Sequence, residues 1–254
     1  MNIDGHAALV SGAASGMGAA TARYLAAHGA RVACLDLNVA DAQAVAAQIG
    51  GIAIACDVSD AASTQAAVAR AREAHGAARV CVSCAGIAPA GRMVGREGPL
   101  PLADFKRVID VNLVGTFNVM RLAAADMSKL EPVNDSGERG VIVNTASVAA
   151  YEGQVGQCAY SASKGGVVAL TLPAARELAR FGVRVVTIAP GLMETPMLLA
   201  FTQEVRDSLA AQVPFPARLG KPEEYAALVG HIVANAMLNG EVIRLDGAIR
   251  MQPR

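Results

Sequence analysis

Tyr160 and Lys164 stand four residues apart in the run Cys158-Ala-Tyr-Ser-Ala-Ser-Lys-Gly-Gly166. On a helix that spacing raises both side chains from one face, one turn apart. A phenol beside an ammonium can be made into a proton donor and acceptor. A free Tyr titrates near pH 10, and a neighbouring cation favours the phenolate and lowers that value. Bringing it to roughly 7–8 takes on the order of 3–4 kcal/mol. The spacing therefore predicts a Tyr160 lowered in part by Lys164, with a cationic ring bound alongside supplying the rest. Read alone, the pair is equally at home on any exposed helix.

Two more polar residues fall where they could join the pair. Ser147 ends the apolar run Val141-Ile-Val-Asn-Thr-Ala-Ser147, thirteen residues before Tyr160, and could hydrogen-bond a substrate oxygen. Asn112, in Asp110-Val-Asn-Leu-Val-Gly-Thr-Phe117, interrupts an otherwise apolar helical stretch. A buried Asn needs partners, so it is expected to bond backbone carbonyl groups and to hold a water. Singly, Ser147 also reads as a turn residue and Asn112 as the satisfier of a helix kink.

Upstream, an apolar strand runs into Ser11-Gly-Ala-Ala-Ser-Gly-Met-Gly18 and then a helix. Glycines at 12, 16 and 18 suit a backbone that must turn tightly, approach a pyrophosphate and let the helix pack on the strand. The helix N-terminus then offers free N–H groups to the anion. Asp36 ends the next strand, eighteen residues after Gly18, where a carboxylate would accept hydrogen bonds from ribose hydroxyls. Its charge repels a 2′-phosphate, and neither Gly12–Gly18 nor Leu37-Asn38 carries a Lys or Arg. NAD is therefore expected rather than NADP. An N-cap is the competing role for Asp36. Asp57-Val58 follows the third strand, where an adenine edge would lie, and Cys84-Ala85-Gly86 follows the fourth. Ligands bind at such carboxyl ends.

The elements that must position these residues alternate. Strands are expected at 6–11, 31–36, 51–56, 80–84, 141–145, 183–188 and 241–245. Helices are expected at 18–28, 40–49, 61–75, 102–129 (extended or broken), 160–181 and 222–235. Loops fill 88–101, 130–140 and 191–219, and Pro173 should kink or shift its helix. This is the pattern of a single α/β domain over 1–254, a Rossmann-type doubly wound parallel sheet with helices on both faces. The strands read apolar throughout, as sheets covered on both faces do.

Composition narrows the partners. The 254 residues carry 22 basic and 22 acidic side chains and are 53% apolar. Zero net charge gives no sign of a nucleic-acid patch or a polybasic membrane arm. No secretory leader is visible, and no eighteen apolar residues run without a charge. The expectation is a soluble cytoplasmic chain (mitochondrial matrix if eukaryotic) binding neither nucleic acid nor membrane. Five cysteines, an odd number, suit a reduced compartment. Cys81 and Cys84 lie on a strand, three apart and so on opposite faces. With scattered histidines, no metal site is expected.

Gly12-xxx-Gly16-x-Gly18, Cys84-Ala-Gly86, Asn112, Ser147, Tyr160-xxx-Lys164 and Pro190-Gly191 together resemble the short-chain dehydrogenase/reductase family, over essentially the full length. Two small departures are Ser11, where Thr is usual, and Ser83-Cys-Ala-Gly86, where Asn-Asn-Ala-Gly is common. The resemblance implies a catalytic set of Asn112, Ser147, Tyr160 and Lys164. It implies a cofactor site of Ser11, Gly12, Ser15, Gly16, Met17, Gly18, Asp36, Asp57, Val58, Cys84, Ala85, Gly86, Tyr160, Lys164, Pro190, Gly191, Met193 and Thr195. Stretches 144–157, 213–220 and 239–252 look like the subgroup of type II 3-hydroxyacyl-CoA dehydrogenases. That likeness implies interconversion of 3-hydroxyacyl-CoA and 3-oxoacyl-CoA with NAD, with branched acyl chains and steroids often accepted. In this reading Tyr160 is the acid/base and Lys164 holds the nicotinamide ribose. Ser147 steadies the alkoxide, Asn112 positions a water, and Thr195 binds the carboxamide with Met193 beside it. Gln154 and Gln157 join Ser147 and Tyr160 on the substrate side. Met193, Met197, Leu198, Leu199 and Phe201 make 191–219 an apolar lid, or one that packs on its own core. Arg92 and Arg96 either meet CoA phosphates or belong to a solvated loop. Competing readings are a 3-oxoacyl-carrier-protein reductase, a hydroxysteroid or secondary-alcohol dehydrogenase, and a scaffold that has lost its chemistry. A homotetramer is implied, packed through 102–129 and 160–181, where Gly165, Gly166 and Ala169 allow close approach.

Overall fold

A computed structural model describes residues 1–96, 98–199 and 202–253, with every side chain there but that of Met197. The first half alternates strictly: β1 (Ala7–Ser11), α1 (Gly16–Ala27), β2 (Arg31–Asp36), α2 (Val39–Ile49), β3 (Ile52–Ala55), α3 (Ala61–His75) and β4 (Val80–Ser83). A small antiparallel pair follows, β5 (Val94–Gly95) and β6 (Gly98–Pro99), inside the expected loop 88–101. Then come α4 (Leu102–Ile109), a π-helical turn Asp110–Val114, α5 (Gly115–Met127), β7 (Gly140–Thr145), α6 (Cys158–Leu178) and β8 (Val183–Pro190). Two short helices, α7 (Pro196–Leu199) and α8 (Gln203–Ala210), occupy the expected loop 191–219 before α9 (Pro222–Ala234) and β9 (Val242–Leu245).

Seven strands pair in parallel in the order β3-β2-β1-β4-β7-β8-β9. The order reverses between β1 and β4, and the crevice above that point is where such sheets take their ligands. The apolar strands are buried end to end in β1, β4, β7 and β8. Side-chain alternation splits them between two cores. Val10, Val82, Val143 and Ile188 pack with α1 and α9 on one face. Leu9, Cys81, Ile142 and Val185 pack with α3 and α5 on the other. A fully buried Val or Ile contributes roughly 1.5–3 kcal/mol, so the strands supply much of the hold on the sheet. Cys81 lies in the second core and Cys84 against the first, on opposite faces as expected.

Two long helices follow their expected spans closely. The stretch 102–129 is one column, α4 to α5, widened by the π turn at Asn112. By length and composition Leu102–Met127 could span a bilayer, and half of its apolar stretch is buried within the chain. Pro173 lies inside α6, which runs from Cys158 to Leu178.

Candidate active site

The glycine turn is shaped by what it lacks. Gly12 has φ +68, and a Cβ there would lie 2.6 Å from Ala85 N. A Cβ on Gly18 would strike the carbonyl oxygen of Gly12. Gly16, at φ +51, would press on Thr195 Cγ2 at 3.3 Å. The β1–α1 turn thus nests against the Cys84-Ala85-Gly86 turn on one side and Thr195 on the other. Ser15 caps α1 without a side-chain bond, and no acidic residue neutralises its first turn. The positive end of α1 is left facing the crevice. These features fit a pyrophosphate, which needs close backbone approach and free N–H groups.

Asp36 is tied into the same turn. Its Oδ2 accepts from Ala14 N at 2.9 Å and its Oδ1 from Asn38 N at 2.9 Å. The N-cap of α2 is Asn38, which accepts from Asp41 N, so Asp36 is not a helix cap. Each carboxylate oxygen retains an acceptor position. Asp57 instead turns inward: its Oδ1 accepts from Ser59 N at 2.9 Å and Ser59 Oγ at 2.6 Å. Val58 is buried and packs where a Cβ on Gly115 would otherwise sit, at 2.6 Å. Pro190 closes β8, and Gly191 N donates to Leu245 O at 2.9 Å, carrying the chain past the crevice.

Tyr160 and Lys164 do share a face of α6, with Nζ 5.9 Å from the Tyr160 ring centroid. Lys164 is 4% exposed and donates to Thr145 O at 2.7 Å. Burial draws its titration down from 10.5 to about 8. Tyr160 keeps some exposed surface, yet burial pushes its phenol above 10, opposed only partly by a hydrogen bond with Ser147. With no dinucleotide bound, Lys164 is not among the groups that lower Tyr160. Desolvation moves both groups toward their neutral forms, and the ammonium spends its short bond on a carbonyl. Ser147 stands in extended backbone, where its Oγ accepts from Ala149 N at 3.1 Å. Its O–H remains to serve Tyr160 or a substrate oxygen.

Asn112 is fully buried. Its Oδ1 accepts from Ile87 N, and its Nδ2 donates to Ile87 O, both at 2.8 Å; Nδ2 also reaches Ser163 Oγ at 3.0 Å. The expected bond to a backbone carbonyl is present. The amide clamps the segment after Gly86 to α6, and a π turn is a common way to aim one side chain at a site.

Three participants carried weak signals or none. Ser163 donates to Tyr160 O at 2.7 Å, a bond that its i+3 position could have suggested. Thr145 Oγ1 donates to Ser83 O at 2.6 Å and meets Tyr225 OH at 2.7 Å. Thr145 lies in the strand that delivers Ser147, but nothing in the sequence links it to Tyr225, which is buried on distant α9. Cys84 Sγ sits 3.7 Å from the Tyr225 hydroxyl. Burial pushes this thiol up, which makes it a packing group rather than a nucleophile.

The substrate-side expectations fare differently. Gln154 Nε2 donates to Gln252 O, and Gln157 Oε1 accepts from Gln154 N, both at 2.9 Å, so one end of each amide bonds the chain itself. Met193 is buried in the first core, Leu198 is half-buried and Leu199 is exposed. Phe201 and the side chain of Met197 lie outside the described residues. Arg92 and Arg96 are exposed beside β5 and β6. Among the described residues no group of three His, Cys, Asp or Glu is arranged to hold a metal.

The family described as short chain dehydrogenase matches residues 6–206. The 3-hydroxyacyl-CoA dehydrogenase type-2 of Bos taurus is 55% identical over 256 residues, spanning 99% of this chain and 98% of the relative. The Homo sapiens protein of that name is 53% identical over the same shares. A crystal structure of 3-hydroxyacyl-CoA dehydrogenase type-2 from Mycobacterium avium superposes with a TM-score of 0.94 at 44% identity, covering 98% of each chain.

Proposed function

The chain belongs to the short-chain dehydrogenase family, and from that premise we propose that it interconverts 3-hydroxyacyl-CoA and 3-oxoacyl-CoA, with NAD as the hydride carrier. It is an oxidoreductase of the nicotinamide dinucleotide type. What carries the chemistry is Tyr160 on α6 with buried Lys164 one turn away, its Nζ 5.9 Å from the Tyr160 ring centroid. The full-length likeness to relatives named for 3-hydroxyacyl-CoA supports the substrate class.

When bound, the dinucleotide supplies the hydride acceptor or donor and, oxidised, a positive charge close to the phenol. Tyr160 takes the proton from the substrate hydroxyl in the oxidative direction and returns it in the reductive one. Ser147 holds the same oxygen through its free O–H. Lys164, fixed by Thr145 O, takes the ribose on the reactive side. Asn112 holds Ile87 and α6 together beneath them, and Thr195, packed on Gly16, takes the carboxamide. Asp36, anchored by Ala14 N and Asn38 N, accepts the adenosine ribose hydroxyls and repels a 2′-phosphate, which favours NAD. Val114 and Phe117 on the α4–α5 column and Leu172 on α6 expose 44–48% of their surface, which supports a homotetramer packed through these helices.

Tyr160→Phe tests the chemistry with acetoacetyl-CoA and NADH. Proton transfer by a positioned side chain contributes about 10²–10⁴-fold, so turnover should fall by that factor with NADH binding intact. Retention of more than a few per cent of turnover would refute the assignment. Asp36→Ala should raise the use of NADPH relative to NADH. Activity on steroids or diols with none on any CoA thioester would refute the substrate class.

A further inference from the structure

The segment between Ser147 and Tyr160 is held from outside the site. Glu152 meets Arg244 of β9 fork to fork, NH1 to Oε1 at 2.7 Å and NH2 to Oε2 at 2.9 Å. Such bidentate pairs fix geometry as well as supplying energy. The same guanidinium gives Nε to Asp246 Oδ2 at 2.6 Å and NH2 to Ile249 O at 3.1 Å, and lies 5.3 Å from the Tyr151 ring centroid. Arg250 adds longer contacts to Glu152 and Asp246.

Two further ties join 151–157 to the strap 246–253. Gln154 Nε2 donates to Gln252 O at 2.9 Å, and Val155 N to Pro253 O at 3.0 Å. On the other side Gly156 O accepts from Gly91 N at 2.9 Å, at the base of the β5–β6 hairpin. Segment 151–157 is thus the junction of hairpin and strap. None of these bonds involves the glycine turn, Asp36 or the Cys84–Gly86 turn.

The strap is held against a cost. Ala248 has φ +67, a left-handed conformation that costs an L residue roughly 1–2 kcal/mol. Asp246 enforces it, accepting Ala248 N on Oδ1 at 3.0 Å and Ile249 N on its carbonyl at 3.1 Å. Backbone strain of this kind persists where the surroundings over-determine it, and it concentrates at functional sites. Asp246 also backs onto Gly191, where a Cβ would lie 2.9 Å from its Cα. The clamp therefore adjoins both the wall beside Tyr160 and the first residue of segment 191–219.

We propose that the Glu152–Arg244 pair is a positioning device that sets segment 151–157, which leads from Ser147 into Tyr160, from the edge strand, and so sets the KM for the CoA thioester independently of the dinucleotide. The proposal rests on the thioester reading. Glu152→Gln removes one charge of the fork, and Arg244→Lys keeps the charge but not the fork. Both residues are partly exposed, so the variants are expected to fold. In each, the KM for acetoacetyl-CoA should rise about tenfold, the scale of one charged hydrogen bond. The KM for NADH and kcat should change less than about twofold on the same scale.

Amide exchange in the dinucleotide-free protein gives a second readout. Val155 and Gly91, whose acceptors are the strap and the wall, should exchange at least about tenfold faster in both variants, by the same charged-bond scale. Unchanged exchange at those amides, or an equal rise in both KM values, overturns the proposal. A wild-type chain that turns over no CoA thioester sinks the substrate reading instead, and exchange at Val155 and Gly91 then decides the clamp alone.

Discussion

Replacing Lys164 by Met should stabilise the dinucleotide-free protein at neutral pH, and the gain should vanish in alkali. The ammonium is 4% exposed, and burial draws its titration from 10.5 down to about 8. Between those values the unfolded chain binds the proton and the folded chain does not. Stability therefore rises with pH across that window, and the penalty is fully present below pH 8. At about 1.4 kcal/mol per pH unit the penalty is about 3 kcal/mol at pH 7 and about 1 kcal/mol at pH 9.5. Methionine carries no such penalty but loses the bond to Thr145 O, about 1 kcal/mol at either pH. The variant should thus be more stable than wild type by about 2 kcal/mol at pH 7 and nearly equal to it at pH 9.5. Urea unfolding of both proteins at the two pH values measures the difference, provided the slopes agree. A variant less stable than wild type at pH 7, or a difference independent of pH, would refute the reasoning. The same substitution removes a group assigned to the chemistry, so stability and activity should move in opposite directions.

Gly12→Ala places a Cβ 2.6 Å from backbone Ala85 N at φ +68. The two turns must part, and NADH affinity measured by fluorescence titration should fall at least about tenfold, since a backbone shift there misplaces several hydrogen bonds at once; unchanged affinity would remove the turn from the cofactor site. Glu138→Ala leaves Arg184 without its counter-charge in a site where both side chains are under a tenth exposed. Unfolding free energy in urea should drop by about 3 kcal/mol, although Arg184 keeps its bonds to Ile232, Val233 and Leu238 carbonyls. Burial raises the Glu138 carboxyl, but Arg184's hydrogen bonds and charge outweigh it and hold the group below 4.5. Its contribution is present above pH 4.5 and lost as pH falls through the lower folded value, so wild type and variant should converge in acid. A gap that persists unchanged below that value rules this out.

Much of the site was legible because its geometry is local. The glycines at 12, 16 and 18, the strand before them and the helix after them specify a turn of one shape, and Asp36 follows at the end of the next strand. Tyr160 and Lys164 share a face by helical spacing alone. The same reasoning correctly set Cys81 and Cys84 on opposite sides of β4. The Gln154–Gln252 bond was not legible because the two residues lie 98 apart, and no spacing rule reaches that far. Tyr225 was passed over for the same reason: its hydroxyl meets Thr145 only because α9 packs across β7.

The sequence by itself determined which groups can do chemistry here and which face each occupies, because period and turn chemistry are properties of neighbouring residues. Only the tertiary structure decided how those groups titrate and what holds them. Desolvation depends on every atom packed around a site, and it drives Tyr160 up and Lys164 down, against what a phenol–ammonium pair in water would do. The wall beside them is likewise held from outside, by a β9 arginine brought across the fold to Glu152.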